Sequence, residues 1–568
     1  MKRIIICLLG AVSGLVAVPA AAQQSSMQFG GLMFSHDLML AEDFASLSRP
    51  ANFGTARAMA LGGAFTSLGA DMSAMSINPA GLGMYRRSEI SLTPMLSVAQ
   101  GETANTLPWQ GNNRTRFSFA NVGAALNIFE SSSGSLVSMT LGVGLNRVAD
   151  FNTRYSYSSE SVYDAASGQT VPTLADVFSQ QLTYHGIFPN QDGALGYDYV
   201  PYFWPAILGY NGFMTSQAGD QMVPDMIGHN ASAIHSVDVV NSGSINEFQI
   251  ALGANINNIL YVGATLGIQS VHKKTGITYQ EQYLYDGAPV DRDGTPLASK
   301  LDYASLYQQT VLDGSGLNFK IGAIVRPVAG LRLGVAYHTP TFYSLDRTYA
   351  ADIESSISNA ANTSREINTD RTPVLSDDGP NSWEFVSPSR LLFGASYTFG
   401  TFAIVSVDYE RDWYNGIRVK NVPDGQPGFI IQPEEYKLEF KNNFCATNAV
   451  RVLSWHRMPT VTARFGKPLP VLALRVGGGY TSSMLKDKSL YFNRPVATES
   501  HYLTAGVGFT LSRTTVLDLA YQYAVDNYSK YQLFFSMDAD AGQPVTWSGL
   551  YDTSITRHYI ALTLGFRF

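Results

Sequence analysis

From about Ser88 onward the chain repeats one pattern: apolar residues on one parity and small or polar residues on the other. Val137, Met139, Leu141, Val143 and Leu145 enclose Ser138, Thr140, Gly142, Gly144 and Asn146. Phe248, Ile250 and Leu252 enclose Gln249, Ala251 and Gly253, and Ile560, Leu562, Leu564, Phe566 and Phe568 close the chain against Ala561, Thr563, Gly565 and Arg567. A period of two is the signature of a β-strand with two different faces. A soluble sandwich also alternates, but with charge outside and bulk inside. Here the second face is mostly Gly, Ala, Ser, Thr, Asn and Gln, which suits a lumen wall whose other side meets lipid. Aromatic residues gather toward segment ends, as in Tyr397 and Phe399 or Tyr409 and Trp413, where interfacial girdles lie.

Fourteen such segments can be marked: 88–99, 114–129, 135–155, 243–255, 259–279, 316–326, 331–349, 383–399, 402–415, 447–466, 471–484, 499–511, 514–530 and 552–568. The intervals between them run 14, 5, 87, 3, 36, 4, 33, 2, 31, 4, 14, 2 and 21 residues, so long and short alternate throughout. An up-and-down barrel with long external loops and tight turns does this by construction. The short intervals carry turn chemistry: Asn257-Asn258, Pro327 to Gly330, Gly400-Thr401 and Gly466 to Pro470. The tenth segment is interrupted by Pro459. The expected fold is therefore all-β, a transmembrane antiparallel barrel over 88–568, with 156–242 as its longest external loop.

Composition sharpens this picture. Only 15% of the 568 residues are charged, too few to cover several water-soluble domains of ordinary size. No run of about 18 apolar residues follows the amino terminus, which excludes a helical membrane protein. A net charge of −7 argues against a nucleic-acid partner. Met1-Lys2-Arg3, the apolar stretch Ile4 to Val18 and Ala20-Ala21-Ala22 form a secretory signal with a predicted cut after Ala22. Removing it leaves Cys445 as the sole cysteine, so barrel closure rather than a disulfide must hold the exported chain.

Residues 23 to 87 do not alternate. They are rich in Ala, Gly and Met, and read as a compact plug of short helices and turns, needed because fourteen strands enclose more space than inward side chains fill. Gly54-Thr55-Ala56-Arg57, Leu61-Gly62-Gly63-Ala64-Phe65, Asn78-Pro79-Ala80-Gly81-Leu82 and the following Ser88-Glu89-Ile90-Ser91 together resemble the FadL/TodX family of outer-membrane transporters for hydrophobic compounds. The resemblance spans Gly54 to Phe568. It implies a barrel plugged by an N-terminal hatch, with Arg57, Asn78, Pro79, Ala80 and Gly81 as gate residues. It further implies passive transport of long-chain fatty acids or aromatic hydrocarbons, and a kink in the third strand that opens the wall sideways. Gly142 and Gly144 are the candidates for that kink, close packing against the hatch being the alternative. Phe568 would hand the chain to the barrel assembly machinery. Met72 departs from the family pattern, which often has a second Asp there.

Four basic residues with lumen parity, Lys320, Arg326, Arg332 and Arg475, are candidates to meet a ligand carboxylate; pairing with Asp518, Asp408 or Glu410 is the competing role. The longest loop carries Tyr199, Phe203, Trp204, Tyr210 and Phe213, either an external capture groove or the core of a self-packed lid. No nucleophile elbow, metal-spaced histidine pair or phosphate loop occurs in the sequence, so no catalytic residue, metal or cofactor is expected; His338, His501 and His558 read as structural. The reading is a monomeric, passive outer-membrane channel for hydrophobic small molecules, in contact with membrane lipid. A surface receptor or adhesin on the same barrel, for example one binding haem, is the alternative.

Overall fold

The computed structural model describes residues 33–34, 44, 47–103, 112–161, 163–164, 169–170, 173–199, 203–228, 230–291, 294–374, 382–400, 403–420, 446–457, 471–482, 499–531, 534–537, 544–546 and 551–568. The expected signal peptide and the turn Gly466 to Pro470 lie outside them, as does Pro459.

Most of the described strands form one closed antiparallel barrel, and short strands at 33–34, 534–537 and 544–546, at 163–164 and 169–170, and at 215–218 and 221–224 form three small separate sheets. In chain order its spans are β1 (Glu89–Thr103), β2 (Asn113–Glu130), β3 (Leu136–Asp150, continued by Thr153–Ser161), β4 (Ala231–Ile256), β5 (Leu260–Tyr285) and β6 (Ser299–Val325). They continue as β7 (Leu331–His338, then Phe342–Asn359), β8 (Ser382–Val386, then Arg390–Phe399), β9 (Ala403–Trp413, then Arg418–Lys420) and β10 (Ala446–Arg457). The ring finishes with β11 (Val471–Thr481), β12 (Ser500–Thr510), β13 (Thr515–Tyr531) and β14 (Tyr551–Arg567). Ile90 of β1 faces Ala124 in β2 on one side and Phe566 in β14 on the other, so first and last strands meet. Arg567 Nε reaches Glu89 Oε2 at 2.6 Å across that seam.

The parity of the sequence becomes two surfaces. Phe248, Ile250, Leu252, Leu266, Ile268, Phe319, Ile321, Leu519 and Ile560 stand exposed on the outer wall, while Gln249, Ala251, Gly253 and Thr563 between them are buried. In water such a belt would be a continuous apolar patch; against hydrocarbon it is the required face. The tight turns behave as their residues dictate: Asn257 and Asn258 take φ of 54° and 57° and Gly400 takes 53°, conformations that Asn and Gly tolerate best.

The long loops differ from expectation. Residues 156–161 and 231–242, placed in the 156–242 loop by the alternation, are a regular ladder from Asn241↔Thr153 to Ala233↔Ser161. The interval 280–315 shrinks likewise, since β5 and β6 stay paired up to Gln282↔Tyr303. A strand of 26 residues is about 80 Å long at the usual rise, against an apolar band about 25 Å tall, so these strands project far past the membrane. Above the band their pattern inverts. Tyr279 and Tyr283 point inward and are buried, while Gln280 and Gln282 are exposed. The two-face rule used to find the strands therefore stops where lipid stops.

Two helices cap this upper region, α3 (Leu174–Tyr184) and α4 (Trp204–Asn211), with the short hatch helices α1 (Ala56–Ala60) and α2 (Ala74–Ile77) lying inside the ring below. Thr173 and Asp176 form a capping box at the start of α3, with Thr173 Oγ1 accepting from Asp176 N at 3.2 Å. Phe178, Leu182, Trp204, Ile207 and Leu208 pack with Tyr279, Tyr349 and Ile353 of the strands into one apolar core. Gly209 lets the helices touch, because a Cβ there would lie 2.1 Å from the Phe178 ring.

Candidate functional site: the filled lumen and the break in its wall

The segment before β1 is bound to the wall on nearly every side. Thr55 begins α1, its Oγ1 accepting from Ala58 N at 3.2 Å and donating to Asp71 Oδ1 at 2.8 Å. Ala56 N donates to Thr563 Oγ1, Tyr502 Oη to Gly62 O, and Thr66 N to Asp408 Oδ2, at 2.7, 2.8 and 2.8 Å. Met72, where the family pattern departs, is fully buried against Gly123.

The Asn-Pro-Ala motif sits at the centre of this docking. Asn78 Nδ2 donates to Thr66 O at 2.7 Å and lies 3.3 Å from both Ala323 O in β6 and Val335 O in β7. Its Oδ1 accepts from Ala80 N at 3.1 Å, starting the 3-10 turn Pro79–Met84, where Pro79 has no N–H to leave unpaired. Pro79, Ala80 and Gly81 are buried. The wall opposite is glycine because nothing larger fits: a Cβ at Gly322 would stand 1.9 Å from Asn78 Oδ1, and one at Gly263 would stand 2.4 Å from Pro79 C. Gly142 and Gly144 belong to the same surface, each within 3 Å of Met75 if given a Cβ. The small residues that alternation showed on the inner face are thus the negative shape of the inner segment. Sequence reasoning had the parity but not the pairing, since Gly322 and Asn78 are far apart in the chain.

Above this layer lies a cavity of about 100 Å³. Its walls combine apolar side chains with a paired polar set. Lys320 donates to Glu247, which also accepts from Gln249 at 2.8 Å and Gln269 at 2.8 Å. Arg390 donates to Glu410 at 3.0 Å and to His338 Nδ1 at 2.8 Å, while His338 Nε2 lies 2.9 Å from Ile77 O. Lys320 therefore reaches the lumen with its charge already matched by a carboxylate that the sequence did not single out. His338 ties wall to inner segment. Leu47, Pro50 and Phe53 line the same cavity.

The cavity reaches Asn146, Arg147 and Val148, where the wall is broken. β2 pairs with β3 only from Asn121↔Asn146 to Glu130↔Ser138. Beyond that point residues 113–119 keep their β1 partners, Ala120 being a bulge, and among the described residues 113–120 have no ladder partner on the β3 side. β3 itself is interrupted at Phe151 and Asn152 and its continuation moves behind β2, so that a Cβ at Gly101 of β1 would meet Arg154 O at 2.3 Å. Two side-chain bonds cross the gap, Arg116 Nη1 to Asn152 Oδ1 at 3.1 Å and Ser156 Oγ to Asn112 Oδ1 at 2.9 Å. Phe117 and Phe119 stand on its outer rim, ring centroids 5.6 Å apart. The interruption begins at Phe151, seven residues past Gly144, the nearer of the two glycines expected to form it.

The fold is similar to that of hydrocarbon channels. A FadL homologue of Pseudomonas aeruginosa is 11% identical, with 91% of this chain and all of that one covered at a TM-score of 0.49. The toluene transporter TbuX of Ralstonia pickettii is 12% identical over 91% and 99% of the two chains, at 0.44. The CymD monoaromatic hydrocarbon channel is 13% identical over 91% and 98%, also at 0.44. No family model and no curated protein matches the chain. The likeness is structural, at low sequence identity.

The remaining expected residues are scattered. Arg326 lies in the turn past the end of β6, its Nε donating to Ala329 O at 3.2 Å. Arg475 pairs with Asp518 at 2.5 Å. Of the loop aromatics, Trp204 is buried, its Nε1 donating to Tyr199 O at 2.9 Å, and Tyr210 Oη donates to Gly193 O at 2.8 Å. Phe203 lies 4.6 Å from His185, ring to ring, whereas Tyr199 and Phe213 are exposed. The packed-lid reading thus accounts for Trp204, and an outward surface is left for Tyr199 and Phe213.

Proposed function

We propose that the chain is an outer-membrane channel through which hydrophobic small molecules pass without an energy source, leaving the lumen sideways between β2 and β3. The observation that carries this is the gap beside residues 113–120, with the cavity reaching its foot at Asn146 to Val148. An unpaired strand edge facing hydrocarbon costs several kcal/mol unless something compensates, so a wall broken at membrane depth marks a path rather than an accident. The inner segment supports the same reading by closing the straight route through the barrel. Its dense bonding makes it a hatch that must shift as a unit, with Asn78 as its main fastening to β6 and β7. A space of about 100 Å³ admits little more than a single ring, so a longer ligand requires Leu47 to Phe53 to move aside.

The test is uptake of radiolabelled toluene and of a long-chain fatty acid by cells carrying the intact chain or a variant lacking Phe151 and Asn152, which makes β3 continuous. Uptake should fall to the level of the deletion strain while the barrel keeps its heat-modifiable migration on gels. Unchanged uptake by the straightened barrel would overturn the sideways route.

A further inference from the structure

A second, smaller cavity of about 30 Å³ lies at the opposite side of the inner segment from the larger cavity. Arg332, Ile404 and Arg475, which line it, stand within the first few residues of β7, β9 and β11, at the end of the barrel that carries the tight turns. Arg57, Leu61 and Leu68 of the inner segment complete it. Three guanidinium groups from three separate elements therefore converge on one small space with an apolar flank.

Their charges are only partly balanced by the protein. Arg475 is paired with Asp518, yet its buried Nε–H finds no acceptor. Arg57 Nη1 donates only to a carbonyl, Ala70 O at 3.1 Å, and its guanidinium lies 5.7 Å from the Phe65 ring centre. Arg332 is half-buried and has no hydrogen bond or ion pair among the described residues. Two further carboxylates lie nearby, Asp71, which accepts from Thr55 Oγ1 and Ser73 N at 2.8 and 2.9 Å, and Glu89, which pairs with Arg567; among the described residues neither bonds directly to Arg57 or Arg332. Holding like charges together in a site partly closed to water is unfavourable unless an anion joins them. Guanidinium forks match the two oxygens of a carboxylate or phosphate.

We propose that Arg57, Arg332 and Arg475 form an oxyanion site on the turn side of the hatch, which receives the carboxylate head of an amphipathic ligand while Leu61, Leu68 and Ile404 flank the start of its tail. The space holds about two water-sized groups, room for the leading oxygens of such a head. Because Arg57 belongs to the hatch and the other two to the wall, an occupied site also bridges hatch and barrel. The sideways route leaves the lumen on the other side of the hatch and does not pass this site, so the inference is independent of that route and the ligand enters from the turn side.

The experiment is thermal unfolding of the purified full-length barrel in a neutral detergent, titrated separately with dodecanoate, dodecanol, acetate and inorganic phosphate, for the intact chain and for R332Q, R332K and R57Q. Dodecanoate should raise the melting temperature of the intact chain more than dodecanol does. R332Q and R57Q should each weaken that response by about tenfold in concentration, the scale of one charge-assisted hydrogen bond, with R332K between them and the intact chain. Dodecanol should act equally on all four. Identical dodecanoate curves for the intact chain, R332Q and R57Q would overturn the site. Phosphate or acetate matching dodecanoate in potency would overturn the amphiphile as occupant. Toluene uptake separates the two readings: if it persists in R332Q the sideways route stands whatever the titration gives, and if the intact chain takes up nothing the route fails while an R332Q-sensitive dodecanoate response still supports the site.

Discussion

The barrel has two halves that obey opposite rules. In the lower half the apolar residues face out and the inner face is stripped to Gly, Ala and Ser, so that Gly322 and Gly263 can touch the backbone of the inner segment. In the upper half, formed by the same β4 to β7, Tyr279, Tyr283, Tyr349 and Ile353 face in and pack on α3 and α4. The β4–β5 and β5–β6 ladders run unbroken from one half into the other, so backbone pairing does not set the difference. What changes is the solvent outside and the filler inside: lipid and a polypeptide plug below, water and an apolar lid above.

The sharpest way to break the lower half is to fill a wall glycine. Gly322→Val puts a side chain where Asn78 Oδ1 stands, and Asn78 would lose its bonds to β6 and β7. With about 1 kcal/mol for each of the two bonds and about 1–3 kcal/mol for overpacking, the docked hatch should weaken by about 3–5 kcal/mol. Single-channel conductance should rise, with the barrel still folded. In the upper half Gly276→Ala meets only the Tyr307 hydroxyl at 3.0 Å, and should leave conductance unchanged.

Next in size is the lid. Phe178→Ala empties the contact with Gly209 and should cost the upper core about 3–5 kcal/mol, read as faster amide exchange in α3 and α4 with the lower ladders still protected. Exchange rising equally in β13 and β14 would show that the halves are one cooperative unit. Charge on the outer face should then tell them apart: Ile250→Arg lies on the lipid belt and should cost about 2–4 kcal/mol in folding from urea into vesicles. Gln280→Arg, on the same outward parity but in the upper half, should cost close to nothing.

This split explains what could be read from the chain. Phe248, Ile250 and Leu252 announced their strand because lipid forces every second residue to be apolar, and nothing else in the chain competes with that signal. Residues 231–242 did not, since above the membrane Val237 and Val239 pack inward and polar residues return to the outside, which looks like loop to a rule built on lipid. At the site, parity put Lys320, Arg332 and Arg475 on the lumen face correctly. It could not show that Glu247, 73 residues from Lys320, already holds that lysine, nor that Arg57 joins the two arginines from the hatch. The break in β3 was expected at Gly142 and Gly144. Those glycines instead lie against Met75, and the chain turns at Phe151 and Asn152, where Asp150 Oδ1 accepts from Asn152 N at 3.1 Å. An Asx-type bond of this kind leaves only a short local trace in sequence, easily overlooked beside a glycine pair.

The smallest expected effect concerns how the lid is tied down. Asp370, on the outer strand Arg365–Arg371 that pairs with β7, accepts from Tyr197 Oη at 2.6 Å and from Asn211 Nδ2 at 2.7 Å, so one carboxylate holds the end of α4 and the chain leading to it. Burial, with the Asp370 bond adding to it, pushes the Tyr197 hydroxyl well above its ordinary pKa, so it stays a donor across the physiological range. Asp370→Ala removes both bonds but none of the apolar core, and should loosen the segment around Tyr197 by about 1–2 kcal/mol. Limited proteolysis should then cut between residues 185 and 203 while α3 stays protected. If α3 were cut at the same rate, the lid would be held by this carboxylate rather than by Phe178 and Trp204, and the upper half would owe its order to a surface bond instead of to an inward-facing core.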